Sequence, residues 1–212
     1  MKNVMNIRLN SRIAGRSGHE ERGFTLIESM IVIALILVVT AMAIMQMSGP
    51  LQNARSDAAM RQVVDQLRQA REYAITNRRY VQFIFIPPAP VAQIQIILRN
   101  DLTPGAGPIQ AQQPIPIQFP MTFAVFGAMA DTPDGYGNAA AIEFAGVNGG
   151  PPAGMLFQSD GQLVNAATLL PINGTIFLGA PANQSSARAI TVMGTTGRIR
   201  GWRGNGLNWI QF

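Results

Sequence analysis

The carboxylate of Glu28 stands four residues after Phe24, at the mouth of a run that carries no other charge until Arg55. A charge near a bilayer interior costs on the order of 2.5–3.5 kcal/mol on insertion scales, so it is retained only where it finds a partner or a function. The i, i+4 spacing puts Phe24 and Glu28 on one face of a helix, and an acid in the first turn suits the positive end of the helix dipole. Little other chemistry is open to the chain. Of 212 residues none is cysteine, and the one histidine (His19) and the one lysine (Lys2) both fall within the first 23. Beyond them no Ser-His-Asp or Cys-His nucleophile, His-ligated zinc site, Schiff base or Walker phosphate loop can be built. Only carboxylates remain as general acids or bases, and Asp57, Asp65 and Glu72 lie among arginines as a solvated ion-pair face of one predicted helix would. The expectation is a non-enzymatic protein with no cofactor and no metal.

Two further groups could bind rather than react. Asp131-Thr132-Pro133-Asp134-Gly135-Tyr136-Gly137-Asn138 sets oxygen donors beside glycines, but it lacks the EF-hand spacing for calcium and reads as a turn-rich loop. After Asp160 no acid follows, whereas Arg188, Arg198, Arg200 and Arg203 do. Three of these fall within six residues that also hold Gly201 and Trp202, which predicts a flexible cationic segment able to meet phosphates. The competing reading is a glycine-rich hairpin whose solvated arginines protect a sheet edge.

The elements that position these groups follow from composition and periodicity. Lys2, Arg8, Arg12, Arg16 and Arg22 against Glu20 and Glu21 make a basic leader that stays cytoplasmic. Met30 to Met45 has Thr40 as its single polar interruption, and Phe24 to Met47 as a helix is about 36 Å long, enough to span a bilayer. A secretory signal peptide cut after Ala43 and a plain single-pass anchor compete for the same stretch. Ser48-Gly49-Pro50 then predicts a kink or local break. From Ala54 to Thr76 the residues Met60, Val63, Val64, Leu67, Ala70 and Ala74 recur at helical spacing, with Asp57–Arg61 and Arg68–Glu72 as i, i+4 pairs. Tyr80 to Ile86 and Val91 to Leu98 read as paired strands around Pro87-Pro88-Ala89-Pro90. Further strands are expected at Met121–Phe126, Ala141–Val147, Met155–Phe157, Gly174–Gly179 and Ala189–Met193, and around Ile199 and Trp209. Thr103 to Pro120 and Asn148 to Pro152 are expected to be loops, and Asp160-Gly161 a hairpin turn. With no cysteine for disulfides, the domain must rest on its core.

Gly23-Phe24-Thr25-Leu26-Ile27-Glu28, between a basic leader and an apolar run, resembles the processing site of type IV prepilins and type II secretion pseudopilins. The resemblance implies that a membrane-embedded prepilin peptidase cuts between Gly23 and Phe24 and N-methylates the new Phe24 amine. Glu28 then falls at the fifth mature position, where the family carries its glutamate, and the amine of Phe24, its own or a neighbour's, becomes its partner. The leader holds five of the 16 cations and two of the 11 acids, so the remainder carries 11 arginines against 9 acids, a formal net charge of +2.

Arg71-Glu72-Tyr73-Ala74-Ile75, Phe157-Gln158-Ser159-Asp160-Gly161 and Gly197-Arg198-Ile199-Arg200 together resemble the H-type minor pseudopilins and FimT-type minor pilins. This implies an α+β pilin-like fold: leader 1–23, membrane-spanning or filament-core helix 24–47, amphipathic helix 48–78, and β-rich head 79–212. It further implies a single-pass protein of the bacterial inner membrane with a periplasmic head. Its implied partners are prepilin peptidase, other pilins or pseudopilins and the inner-membrane assembly platform. The leading expectation is a minor pseudopilin of type II secretion; the alternative is a FimT-like minor pilin for pilus initiation or DNA uptake. In the latter, Arg198 and Arg200 are carried over as DNA contacts and Arg203 is added by proximity. An unrelated exported binding domain behind a signal peptide is the third reading.

Overall fold

The computed structural model describes residues 24–86, 91–99, 110–118, 120–127, 129–144, 147–148, 155–165, 168–181 and 183–212. Gly23, on which the cleavage expectation partly rests, lies outside them, as do 87–90, 100–109 and 149–154. The chain divides into two units between Gln46 and Met47.

The described residues of the first unit are helical from Leu26. Helix α1 is assigned over Leu26–Asn77; from Leu26 to Ile44 its large apolar side chains are exposed, and its most apolar 18-residue window has a mean hydropathy of 2.6. It is long and apolar enough to cross a membrane. Thr40, the one hydroxyl in the run, donates to the Ile36 carbonyl at 2.6 Å, which satisfies it within the helix. The break expected at Pro50 is absent: the helix continues through Ser48-Gly49-Pro50. A proline removes one helical hydrogen bond, and the turns after it are held by packing in the second unit.

That second unit carries the rest of α1 and two antiparallel sheets. Met60, Val63, Val64, Leu67, Ala70 and Ala74 are all buried, so the predicted stripe is the face that enters the core. The helix ends in a Schellman turn: Arg79 N–H donates to the Ala74 carbonyl at 3.1 Å and Arg78 N–H to that of Ile75 at 3.3 Å, with Arg78 at φ 51°. The chain passes from there straight into β1 (Tyr80–Ile86).

The first sheet pairs β1 with β2 (Gln93–Arg99) and with β8 (Met155–Phe157), which pairs with β9 (Leu163–Asn165) across the turn at Gly161, φ 82°. Along β2 run two short strands within the expected 103–120 loop, β3 (Gln110–Ala111) and β4 (Ile115–Pro116). The second sheet has the order β13-β12-β11-β10-β6-β7, from Asn208–Gln211, Arg198–Asn205, Arg188–Met193, Gly174–Gly179, Ile142–Phe144 and Val147–Asn148, with β5 (Thr122–Phe123) beside β10. The single strand expected over Ala141–Val147 is therefore two, paired antiparallel.

All six residues of β10 are buried because the second sheet is covered on both faces. Ile176, Leu178, Ile190 and Val192 join the helix and first sheet in the main core. Phe177, Ala189, Trp202 and Trp209 form a smaller cluster with Phe126 and Met129. Both indoles are tied inside it: Trp202 Nε1 donates to Thr191 Oγ1 at 2.9 Å and Trp209 Nε1 to the Ala130 carbonyl at 2.7 Å. They are packing residues, as buried tryptophans with a partner for the N–H usually are.

Candidate processing and assembly site

The first turn of α1 is built by its own sequence. Thr25 precedes the helix as its N-cap: its Oγ1 accepts the Glu28 amide at 3.2 Å, and its carbonyl accepts the Ser29 amide at 3.1 Å. Thr25-x-x-Glu28 is the pattern of a capping box, so Glu28 occupies the third helical position, where its charge faces the unpaired amides of the helix start. Phe24 lies just outside the helix and is 79% exposed. Glu28 is exposed too, and among the described residues no ion pair to it is formed. The expected i, i+4 helical relation does not form, because Phe24 precedes the cap at Thr25, which the sequence reading missed. The Thr-x-x-Glu spacing was the signal for the cap.

The three arginines expected as a cationic segment are not brought together. They sit on a regular strand, β12, whose alternation sends Arg198 and Arg200 to one face and Arg203 to the other. Arg200 Nη1 is 2.8 Å from Asp134 Oδ1, and Asp134 also accepts the Thr191 hydroxyl. Arg203 donates to Asp57 from the opposite face. Arg198 is exposed and has no ion pair among the described residues. The 131–138 loop is likewise occupied by protein donors: Asp131 accepts the amides of Thr132 and Gly137 at 2.7 and 2.9 Å, and Asp134 holds Arg200. Among the described residues no group of three metal-ligating side chains occurs.

Asp57 overturns the expected solvated face. It is buried, and instead of pairing with Arg61 it faces two guanidiniums from the second sheet. Arg188 is fully enclosed: Nε donates to Asp57 at 2.6 Å, Nη1 to the carbonyls of Ser185 and Ala187, and Nη2 to that of Asn53 at 3.3 Å. Burial pulls the Arg188 guanidinium below its usual pKa, opposed by the hydrogen bond and charge of Asp57. On the exposed side Arg68 meets Asp65 at 3.8 Å, not Glu72.

The segments that suggested a subfamily meet at one point. Arg71 Nε donates to the Gly161 carbonyl and Nη2 to that of Thr196, both at 3.2 Å, so one helical arginine ties two turns. Gly197 has φ +62°, and a Cβ there would lie 2.1 Å from the Gly161 carbonyl oxygen and 2.5 Å from Arg71 Nε. Its glycine is required by this close approach. Gly197→Ala is expected to cost about 2 kcal/mol or more, from left-handed strain plus backbone displacement, while the exposed Arg198→Ala stays within about 0.5 kcal/mol. Urea midpoints of the two variants check this, and equal midpoints would remove the packing role.

A family model for the prokaryotic N-terminal methylation motif matches residues 19–44. No curated protein and no solved structure matches the chain. The motif, on a layout of one long apolar helix followed by antiparallel sheets, supports a type IV pilin-like protein. The motif implies processing by prepilin peptidase and assembly with other pilins, and with the apolar helix it is consistent with inner-membrane anchoring.

Proposed function

We propose that the chain is a minor pseudopilin of a type II secretion system: a non-catalytic subunit, cut between Gly23 and Phe24, methylated at Phe24 and assembled through its helix into a periplasmic pseudopilus. The observation that carries this reading is the capped first turn. Thr25 caps the helix that starts at Leu26, so a new amine at Phe24 and the carboxylate of Glu28 share one end of a helix that carries no other charge until Arg55. A carboxylate and an amine brought together in a low-dielectric filament core neutralise each other and set an axial register between subunits.

The placement of the arginines favours secretion over DNA uptake. Nucleic-acid affinity grows with the number of cations free to meet phosphates, and Arg200 and Arg203 are each engaged by a carboxylate. The convergence of the three subfamily segments on Arg71 supports the H-type assignment, because it gives those residues a shared structural reason.

Mass spectrometry of the mature amino terminus tests the reading, with N-methylphenylalanine at Phe24 as the expected result. Glu28→Ala is expected to be inserted and cleaved normally yet to enter filaments at least about tenfold less, the loss of one buried charge pair. Crosslinking and shear fractionation measure this. Wild-type incorporation would show that helix packing alone carries assembly.

A further inference from the structure

We propose that β13 is a docking edge for an extended segment of a different protein in which acidic and apolar residues alternate. The inference rests on the second sheet and is independent of the processing reading. Among the described residues β13 lies at the end of that sheet and pairs with β12 alone. Phe212 N–H donates to the Gly201 carbonyl at 3.0 Å and Ile210 stands opposite Arg203, so alternation turns the backbone N–H and C=O groups of Trp209 and Gln211 away from β12. The outward carbonyl of Leu207 already accepts the Ala130 amide at 3.2 Å. Among the described residues no backbone partner meets Trp209 or Gln211. Natural edges are usually guarded by a charge, a proline or a bulge. This one runs Leu207-Asn208-Trp209-Ile210-Gln211-Phe212 with none, and Ile210 and Phe212 are about half exposed.

The charges beside the edge select the occupant. The Phe212 ring lies between two guanidiniums, Arg61 at 5.1 Å and Arg203 at 5.4 Å from its centroid. Asp57 is shared between Arg188 and Arg203, one carboxylate against two cations, and Asp65 is taken by Arg68. The helix side of the edge therefore keeps a net positive charge. A second copy pairing edge to edge would place these cations against their equivalents, whereas acidic side chains on an added strand would face them favourably. On the other side Trp209 lines a pocket of about 210 Å³ with the apolar side chains of Val125, Phe126, Met129 and Phe177 and the amide of Asn138, and the alternate side chains of an added strand would lie on that face. Main-chain pairing with side chains sorted to two faces is the physics of strand addition.

The test uses the full chain in detergent micelles and two blocked peptides, Glu-Val-Glu-Val-Glu-Val-Glu and its counterpart with lysine at every glutamate. Amide hydrogen exchange at Trp209 and Gln211 is expected to slow at least about fivefold, saturably, with the acidic peptide and not with the basic one. Gln211→Pro, which deletes an N–H that β12 does not use, should abolish the effect at Trp209. Arg61→Gln should weaken it. The proposal is overturned if neither peptide slows exchange, if both do so equally, or if Gln211→Pro still protects Trp209 as the unaltered chain does. Protection that appears without peptide and rises with protein concentration would identify a second copy as the occupant and overturn it too.

Discussion

Gly23→Leu is expected to leave a full-length precursor that keeps residues 1–23. A peptidase that cuts after glycine must bring its own backbone close to the scissile bond, and a side chain there is an overpacking of the cleft. Forcing one into a fitted space costs about 1–3 kcal/mol in known cases, so cleavage should fall at least about tenfold, with Gly23→Ala intermediate. The leader is basic and the helix beyond Phe24 unaltered, so insertion should be unaffected. The variant should therefore accumulate in the membrane fraction. Immunoblotting and amino-terminal mass spectrometry decide the matter: a mature product beginning at Phe24 at wild-type level would sink the processing assignment. The third reading, cleavage after Ala43, would also show itself in that spectrum.

Asp57→Ala is expected to be the most destabilising single change in the second unit, at about 3–5 kcal/mol. The reason is asymmetry. With the carboxylate gone, Arg188 keeps three carbonyl acceptors but loses its counter-ion while its side chain stays fully enclosed. Arg203 is about half exposed and can turn to water, so it adds less. Asp57→Leu combined with Arg188→Met removes the buried charges together, and such replacements are often neutral or stabilising. The double variant should thus recover most of the loss. Urea unfolding of the unaltered chain, Asp57→Leu, Arg188→Met and the double variant, read as a double-mutant cycle, should return a coupling of about 3 kcal/mol. A loss below about 1 kcal/mol for Asp57→Ala would mean that water reaches Arg188 after all.

The parts that were legible in the sequence are those governed by one period or one junction. The stripe from Met60 to Ala74 read correctly because a helix facing a core repeats its apolar residues at three and four. β1 read correctly because its run of β-formers is bounded by a helix end and prolines. What failed depended on partners distant in sequence. Asp57 has Arg61 one turn ahead, and local pairing was the natural inference, yet a residue 131 positions away takes it because Arg188 has no other way to be buried. The arginines of β12 looked like a patch because they are close in sequence, but strand alternation turns Arg203 away from Arg198 and Arg200, and Asp57 and Asp134 engage Arg203 and Arg200. β3 and β4 were hidden by the prolines and glycines around them, two residues being too short for alternation to show. In the candidate site, Phe24 and Glu28 stand out through the junction motif and the lone charge, whereas the capping hydroxyl of Thr25 shows only in the Thr-x-x-Glu spacing.

The uniform exposure of the apolar helix has a mechanical consequence. From Met30 to Ile44 Thr40 is the single polar residue and the large apolar side chains are exposed, so over that stretch exchanging lipid tails for similar helices leaves the water-excluded area nearly unchanged. Lipid is as apolar as leucine, and the hydrophobic effect gives no net pull in either direction. Removal of such a subunit from the bilayer is therefore close to isoenergetic as long as its flank is handed directly from lipid to neighbour, and prohibitively costly if it passes through water. Work done on the subunit is then spent on direction and timing rather than on desolvation, and any machine that moves it must keep the transfer path dry.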